Sequence, residues 1–315
     1  MQDKNNILNF IAALVIIIFF IPYTASGFAA CGKLFSSLFG MDYHVAMIIS
    51  ALIIIAYTCL GGFLAASTTD FIQSIIMSIA LIIVLGFGIN VAGGFDAVIE
   101  NAKALPGYLS LNSLYDPTTG SETSYGIIKI ASTFAWGLGY FGMPHILLRF
   151  MAIEKVEKIK LARRVASIWV VISMAVAIVI GVVGYGVVKS GVVSGLQDSE
   201  RIIIEIAKVI SGEGWAFAII AGIILSGILA SIMSTADSQL LAASSSISED
   251  IFKAAKVKIS DKKKMLVARI SVIIIAIIAM FIAKDPDSKV FEIVSFAWAG
   301  FGATFGPVVL CALFF

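Results

Sequence analysis

Runs of about 20 predominantly apolar residues dominate this chain, each long enough to cross a hydrocarbon layer of about 30 Å as a helix. Eight of them can be read, at 7–30, 45–67, 71–93, 126–148, 165–188, 215–238, 265–283 and 290–315. The expectation is an all-α integral membrane protein with about eight transmembrane helices. Composition agrees. Of 315 residues, 60% are hydrophobic and 13% charged, against about 45–50% apolar and about 25% charged in soluble domains. A soluble, disordered or fibrous chain is thereby excluded. With 22 basic and 20 acidic residues, no global field recruits nucleic acid or another charged partner. Cys31, Cys59 and Cys311 are too widely spaced in sequence for a disulfide framework or a C-x-x-C metal site. The first run is longer than the core of a signal peptide, and Asp3 accompanies Lys4 ahead of it, so it reads as a retained span.

Two connections are basic. Residues 149–164 carry Arg149, Lys155, Lys158, Lys160, Arg163 and Arg164, and residues 246–264 carry Lys253, Lys256, Lys258, Lys262, Lys263 and Lys264. Two spans separate them, so they share a side, and short basic loops stay cytoplasmic. Both termini then lie inside, and the connections 94–125 and 189–214 outside. In the second of these, Ile202, Ile203, Ile206, Val209 and Ile210 recur at helical spacing and predict a short amphipathic helix.

Within the sixth run, Ser231, Ser234 and Thr235 stand at i, i+3 and i+4 and share a helix face. A row of hydroxyl and backbone oxygens suits a hard cation; such a stripe is equally the glue of membrane helix contacts. Asp237 follows closely. An ionisable residue near a span is a functional candidate, although at the cytoplasmic end of the helix it costs little.

The fourth run contains Trp136-Gly-Leu-Gly-Tyr140-Phe-Gly-Met-Pro144-His145. Its G-x-G-x-x-G lacks the strand and βαβ context of a dinucleotide site. Glycines with a proline instead predict a helix broken in mid-membrane, as transporters use to expose backbone groups; a plain proline kink is the simpler alternative. Trp136 and Tyr140, four apart, would line one side of a cavity. In the eighth run Gly302 and Gly306 form a G-x-x-x-G face, read as a helix contact or hinge. Asp70, after Ser67-Thr68-Thr69, is read in a short cytoplasmic turn as a helix cap or a cation acceptor. No hydrolase, metalloprotease or nucleotide motif is present, so the chain is not read as an enzyme, and His145 is read as a satisfied histidine beside the basic loop.

The stretches 57–73, 136–149, 231–241 and 297–310 resemble the solute:sodium symporters, and the likeness runs in order along the whole chain. That resemblance implies a LeuT-type fold of two inverted five-helix repeats with a site at mid-membrane. It implies the last three helices of the first repeat at 1–93, an extracellular loop at 94–125 and the second repeat at 126–315. The chain then begins after the first helices of repeat one and stops where relatives continue; as a truncated piece it is not expected to transport alone. The implied activity is Na⁺-coupled uptake of L-proline across the cytoplasmic membrane, with the lipid bilayer as surroundings. Na⁺ is the coupling ion, and neither another cofactor, nor nucleic acid, nor a required oligomer is implied. Tyr23, Trp136, Tyr140 and Pro144 match substrate-pocket positions. Ser231, Ser234 and Thr235 match sodium-site positions, Ser231 through its carbonyl. Asp70 matches a residue of the sodium release path, and Asp237 receives no role. The alternatives are a symporter for another small organic solute such as pantothenate, or a membrane sensor module on the same fold.

Overall fold

The computed structural model describes residues 6–194, 196, 198–257 and 259–314. Among them, six helices are long and apolar enough to cross a membrane. They are α1 (Ile7–Phe39), α2 (Tyr43–Val91), α6 (Val156–Lys189), α8 (Trp215–Ser245, continued by a π-turn Ser246–Ile251 and the short α9, Phe252–Ala254), α10 (Asp261–Ile282) and α11 (Val290–Phe314). The eight apolar runs map onto these six for two reasons.

First, α2 contains 49 residues, about 74 Å of helix at 1.5 Å per residue and more than two membrane thicknesses. Its one non-helical residue is Gly62, at φ 64° and ψ −165°, a conformation essentially closed to residues with a Cβ. The second and third runs therefore meet at Gly62, not at 68–70 as the sequence suggested. The Ser-Thr-Thr stretch that looked like a turn is helical, and its two threonine hydroxyls are satisfied by bonding back to the preceding turn. Thr68 Oγ1 donates to the Leu64 carbonyl at 2.9 Å, and Thr69 Oγ1 to that of Ala65 at 3.0 Å.

Second, the fourth run is broken, as its glycines and proline predicted. It comprises α4 (Ile127–Ala135), a 3₁₀ segment (Trp136–Gly142) and α5 (Pro144–Met151). A 3₁₀ segment has three residues per turn, which withdraws the i, i+4 argument for a face shared by Trp136 and Tyr140.

The chain divides into two units. The first holds Met1–Gln73, Leu138–Ala152 and Leu229–Phe315. In it α1 lies against α10, α11 and the π-turn, around the fully buried Phe20, Phe28, Leu34, Ile54, Leu240, Ile275 and Phe301. The second holds Ser74–Gly137 and Ile153–Ile228, with a core of Val84, Ile180, Val183, Ile206, Ile210 and Ile224. Its helices approach closely at glycines: a Cβ on Gly88 would stand 2.8 Å from Val183 Cγ1.

The connection after α2 carries α3 (Phe95–Lys103) and a feature outside the all-α expectation, an antiparallel hairpin of β1 (Ser113–Asp116) and β2 (Ser121–Ser124). The predicted amphipathic helix is α7 (Ile202–Gly212), which buries Ile204, Ile206, Ala207 and Ile210 and leaves Glu205 paired with Lys208 at 2.7 Å. Elsewhere the long helices expose large apolar side chains, among them Leu52, Ile53, Leu60, Leu64 and Phe71. So much apolar surface suits a lipid solvent and would be a liability in water.

Candidate functional site

The candidate site grows from contacts within the first unit between the broken fourth run and α11. Glycine makes them possible. A Cβ on Gly302 would stand 2.9 Å from Gly139 Cα. A Cβ on Gly142 would strike the Phe301 carbonyl oxygen and stand 2.9 Å from Gly306 N. The G-x-x-x-G of α11 thus receives the glycines of the 3₁₀ segment backbone to backbone, the contact role expected of it. Pro144 then opens α5 at a first-turn position, where its missing N–H costs nothing.

This contact assembles an aromatic cluster. The Tyr140 ring meets Trp298 edge-on, with centroids 4.7 Å apart and planes at 80°. Trp298 Nε1 donates to the Tyr23 hydroxyl at 2.9 Å, with both residues buried. His145 stands edge-on to Phe20 and Tyr23, at 5.6 and 6.0 Å. Tyr23 and Tyr140, singled out from the sequence, therefore share one partner. That partner, Trp298, is not among the sequence-derived candidates, because glycines dominate the pattern of the eighth run; an indole in a glycine-rich membrane helix is the signal that points to it. Trp136 belongs to the second unit and opens the 3₁₀ segment. His145 corrects its sequence reading: it is partly buried against these rings, and its Nδ1 has no hydrogen-bond partner.

On α8 the hydroxyl stripe forms as the spacing predicted. Ser234 Oγ and Thr235 Oγ1 both donate to the Ser231 carbonyl, at 3.2 and 3.0 Å, and Ser238 Oγ donates to the Ser234 carbonyl at 2.9 Å. A hydroxyl that donates its only proton to the backbone keeps lone pairs free to accept. The half-buried stripe is therefore a row of oxygen acceptors, suited to a hard cation by its chemistry.

Below it lies a charged cluster that the sequence left in pieces. Asp70 sits inside the helical part of α2 beyond Gly62, 8% exposed, and not in a turn. Arg149, counted among the basic loop residues, belongs to α5; its Nη2 pairs with Asp70 Oδ2 and donates to Ser238 Oγ at 2.6 Å. The other Asp70 oxygen, Oδ1, is buried without a hydrogen-bond partner. Asp237 lies within α8 and is wholly buried, not at a solvated helix end. It accepts from Tyr57 Oη at 3.2 Å, and its Oδ1 lies 3.1 Å from Ser238 Oγ, whose single proton it shares with the Ser234 carbonyl. Buried charges are retained only when paired and hydrogen-bonded; Asp70 has the Arg149 guanidinium, and Asp237 is connected to it through the Ser238 hydroxyl.

Comparison with known proteins agrees with this architecture. The model of the sodium:solute symporter family matches residues 1–315, and the chain belongs to that family. Sodium/proline symporters of Staphylococcus aureus, including those of strains USA300 and Newman, are 40% identical over 318 residues. The alignment takes in all of this chain and 59% of theirs, so the chain spans about three-fifths of the length of these curated relatives. A solved structure of a Na⁺-coupled sialic acid symporter, substrate-bound and outward-open, superposes with a TM-score of 0.71 over 96% of this chain and 62% of that one. At 18% identity this likeness concerns the fold alone. The protein is thus a multi-pass membrane protein with a LeuT-type helical fold.

Proposed function

We propose that this chain forms the translocating part of a symporter that carries L-proline with Na⁺ into the cell across the cytoplasmic membrane. The observation that carries the reading is one unit holding both an aromatic cluster, Tyr23–Trp298–Tyr140, and an oxygen-rich helix face at Ser231, Ser234 and Thr235. An apolar aromatic wall suits a small saturated ring, with a few polar groups to orient it. Tyr23, Tyr140 and Pro144 are the pocket residues of the first unit in this reading, and Trp298 joins Tyr23 and Tyr140 by contact. The Ser234 and Thr235 hydroxyls supply Na⁺ ligands through their free lone pairs, and the Ser231 carbonyl does so where the ion displaces one of the two hydroxyl protons it accepts. Asp70, with a buried oxygen that lacks a partner, receives the ion as it leaves. The basic turns near Arg149–Arg164 and Lys253–Lys264 face the cytoplasm, as do both ends of the chain. The same reading divides the sequence into the end of one inverted repeat, 1–93, a connection, 94–125, and a second repeat, 126–315. The 40% identity to sodium/proline symporters supports proline over other small solutes.

The test is uptake of labelled L-proline by the parent protein in liposomes, with an inward gradient of either Na⁺ or K⁺. Saturable uptake with Na⁺ alone is expected, and excess pantothenate should leave it unchanged. Equal uptake in the two gradients rejects sodium coupling, and competition by pantothenate rejects proline as the preferred cargo.

A further inference from the structure

A cavity of about 520 Å³ lies within the first unit, beside the aromatic cluster. Phe63, Leu148, Leu241 and Met265 give it apolar walls, and its charged lining is balanced, with Arg149 and Lys264 against Glu249 and Asp261. Lys264 Nζ bonds Glu249 Oε2 at 2.9 Å, so these two largely satisfy each other. Arg149 differs. Both of its hydrogen bonds leave from Nη2. A guanidinium carries five N–H donors in a planar fork, so Nε and Nη1 retain theirs, with no protein partner among the described residues. The side chain is 41% exposed where it lines the cavity. His145, one turn earlier on α5, lines the same cavity and also touches Tyr23 and Phe20. Cavity and aromatic cluster therefore adjoin at one side chain.

We propose that this cavity is a second holding site for a small zwitterionic amino acid, whose carboxylate takes the unused donors of Arg149 while its apolar part lies against Phe63 and Leu241. The proposal rests on the reading of the cargo as such an amino acid. Arg149 keeps its bond to Asp70 throughout. A guanidinium fork matches a carboxylate better than any other side chain does. A zwitterion adds no net charge to a lining of balanced sign, whereas a bare anion would also meet Glu249, Asp261 and the nearby Asp70 and Asp237. A cargo released from the rings past His145 would meet Arg149 next.

Thiol protection in nanodiscs tests this. Ser245, exposed and lining the cavity, is changed to Cys in a chain carrying Cys31→Ala, Cys59→Ala and Cys311→Ala. The labelling rate with a water-soluble maleimide is then measured. L-Proline should slow labelling, and pyrrolidine, which lacks the carboxylate, should not. Arg149→Lys keeps a cation for Asp70 and loses the fork; it should raise the half-protecting concentration about tenfold. Tyr140→Ala, in the aromatic cluster, should leave protection in place. If Arg149→Lys no longer runs as a single species, Ala268→Trp, which fills the cavity, should abolish protection instead. Equal protection by pyrrolidine, an unchanged response in the Arg149 or Ala268 variant, or loss of protection in Tyr140→Ala would each overturn the holding site. Protection by glycine or L-alanine but not by proline would support the site and refute proline as the cargo. Sodium-independent uptake by the parent would refute the symport reading and leave the cavity result standing.

Discussion

Trp298 joins three parts of the sequence that lie far apart: Tyr23 on α1, Tyr140 in the 3₁₀ segment, and α11 itself. Its indole N–H is buried and donates to the Tyr23 hydroxyl, so substituting either partner deletes a buried hydrogen bond. Trp298→Phe and Tyr23→Phe should each destabilise the chain by about 1 kcal/mol. The double variant should cost little more than either alone, because each removes the same hydrogen bond. Denaturant unfolding of the four proteins in detergent micelles checks this; additive losses would show that the bond contributes nothing. Arg149→Met is a harsher change, since it takes from the buried Asp70 carboxylate the one cation it pairs with among the described residues. The guanidinium is nearly half exposed, so solvent screens part of the pair and the expected loss is about 1–3 kcal/mol. Much at this level was legible beforehand. Hydroxyls at i, i+3 and i+4 had to share a face once a helix was granted. The Asp70–Arg149 pairing was not legible, because 79 residues separate partners whose local surroundings looked like a turn and a basic loop.

Glycine decides where the helices break and meet. Gly62 holds φ 64° and ψ −165° with open space around its missing Cβ, so the constraint there is conformational. Gly62→Ala should cost about 1–3 kcal/mol through backbone strain alone. Gly142 is limited instead by neighbouring backbone atoms of α11, which cannot rotate away as a side chain can. Gly142→Ala should cost at least about 2–3 kcal/mol, as overpacking does in a dense interior, and should also disturb the Tyr140–Trp298 contact. Gly181, with nothing within 4 Å of its Cβ position, is the control: Gly181→Ala should be neutral or stabilising by about 0.5–1 kcal/mol. Thermal aggregation curves in one detergent would rank the three. The β1–β2 turn should depend on pH. Thr118 and Thr119 donate to the Asp116 carboxylate, Thr118 through its backbone N–H at 2.8 Å and its hydroxyl at 2.6 Å, and hold its pKa below the usual 3.8. A depressed carboxylate pKa stabilises above the ordinary value and loses that stabilisation as pH falls through the folded one. Amide exchange in 113–124 should therefore be protected at pH 7 and speed up, relative to its intrinsic rate, once pH drops below 3.8. Asp116→Asn should remove that dependence.

For the molecule as a transporter, the central expectation is linkage. If Na⁺ bound on the α8 stripe raises proline affinity by some factor, proline must raise Na⁺ affinity by the same factor. Ser234→Ala and Thr235→Ala each delete one of the proposed oxygen ligands. In the parent protein each should raise the half-saturating Na⁺ concentration about tenfold or more, equivalent to about 1.4 kcal/mol or above, with the maximal uptake rate little changed. A fall in maximal rate at unchanged Na⁺ dependence would remove these hydroxyls from the ion site and leave the helix-contact reading. Trp298→Phe should alter proline half-saturation and leave Na⁺ half-saturation the smaller effect.

Sequence alone determined the solvent and the elements. Apolar runs of about 20 residues can satisfy their backbone groups in lipid only as helices. Glycines with Pro144 marked the break in the fourth run, and Ile202–Ile210 marked the amphipathic α7. These features depend on neighbours within a turn or two of chain, so local chemistry suffices to read them. Tertiary structure alone decided which residues meet: Trp298 with Tyr23 and Tyr140, Arg149 with Asp70, and Asp237 with Tyr57. The break in α2 at Gly62 is itself local, a glycine in a conformation that other residues avoid, but two adjacent glycines gave less warning of it than the polar Ser67-Thr68-Thr69 stretch seemed to give of a turn. In a chain so uniformly apolar, hydrophobic pattern carries little information about which helix faces which. Partner choice there follows from glycine contacts between backbones and from a few buried polar groups that must find one another, and both are properties of the assembled fold.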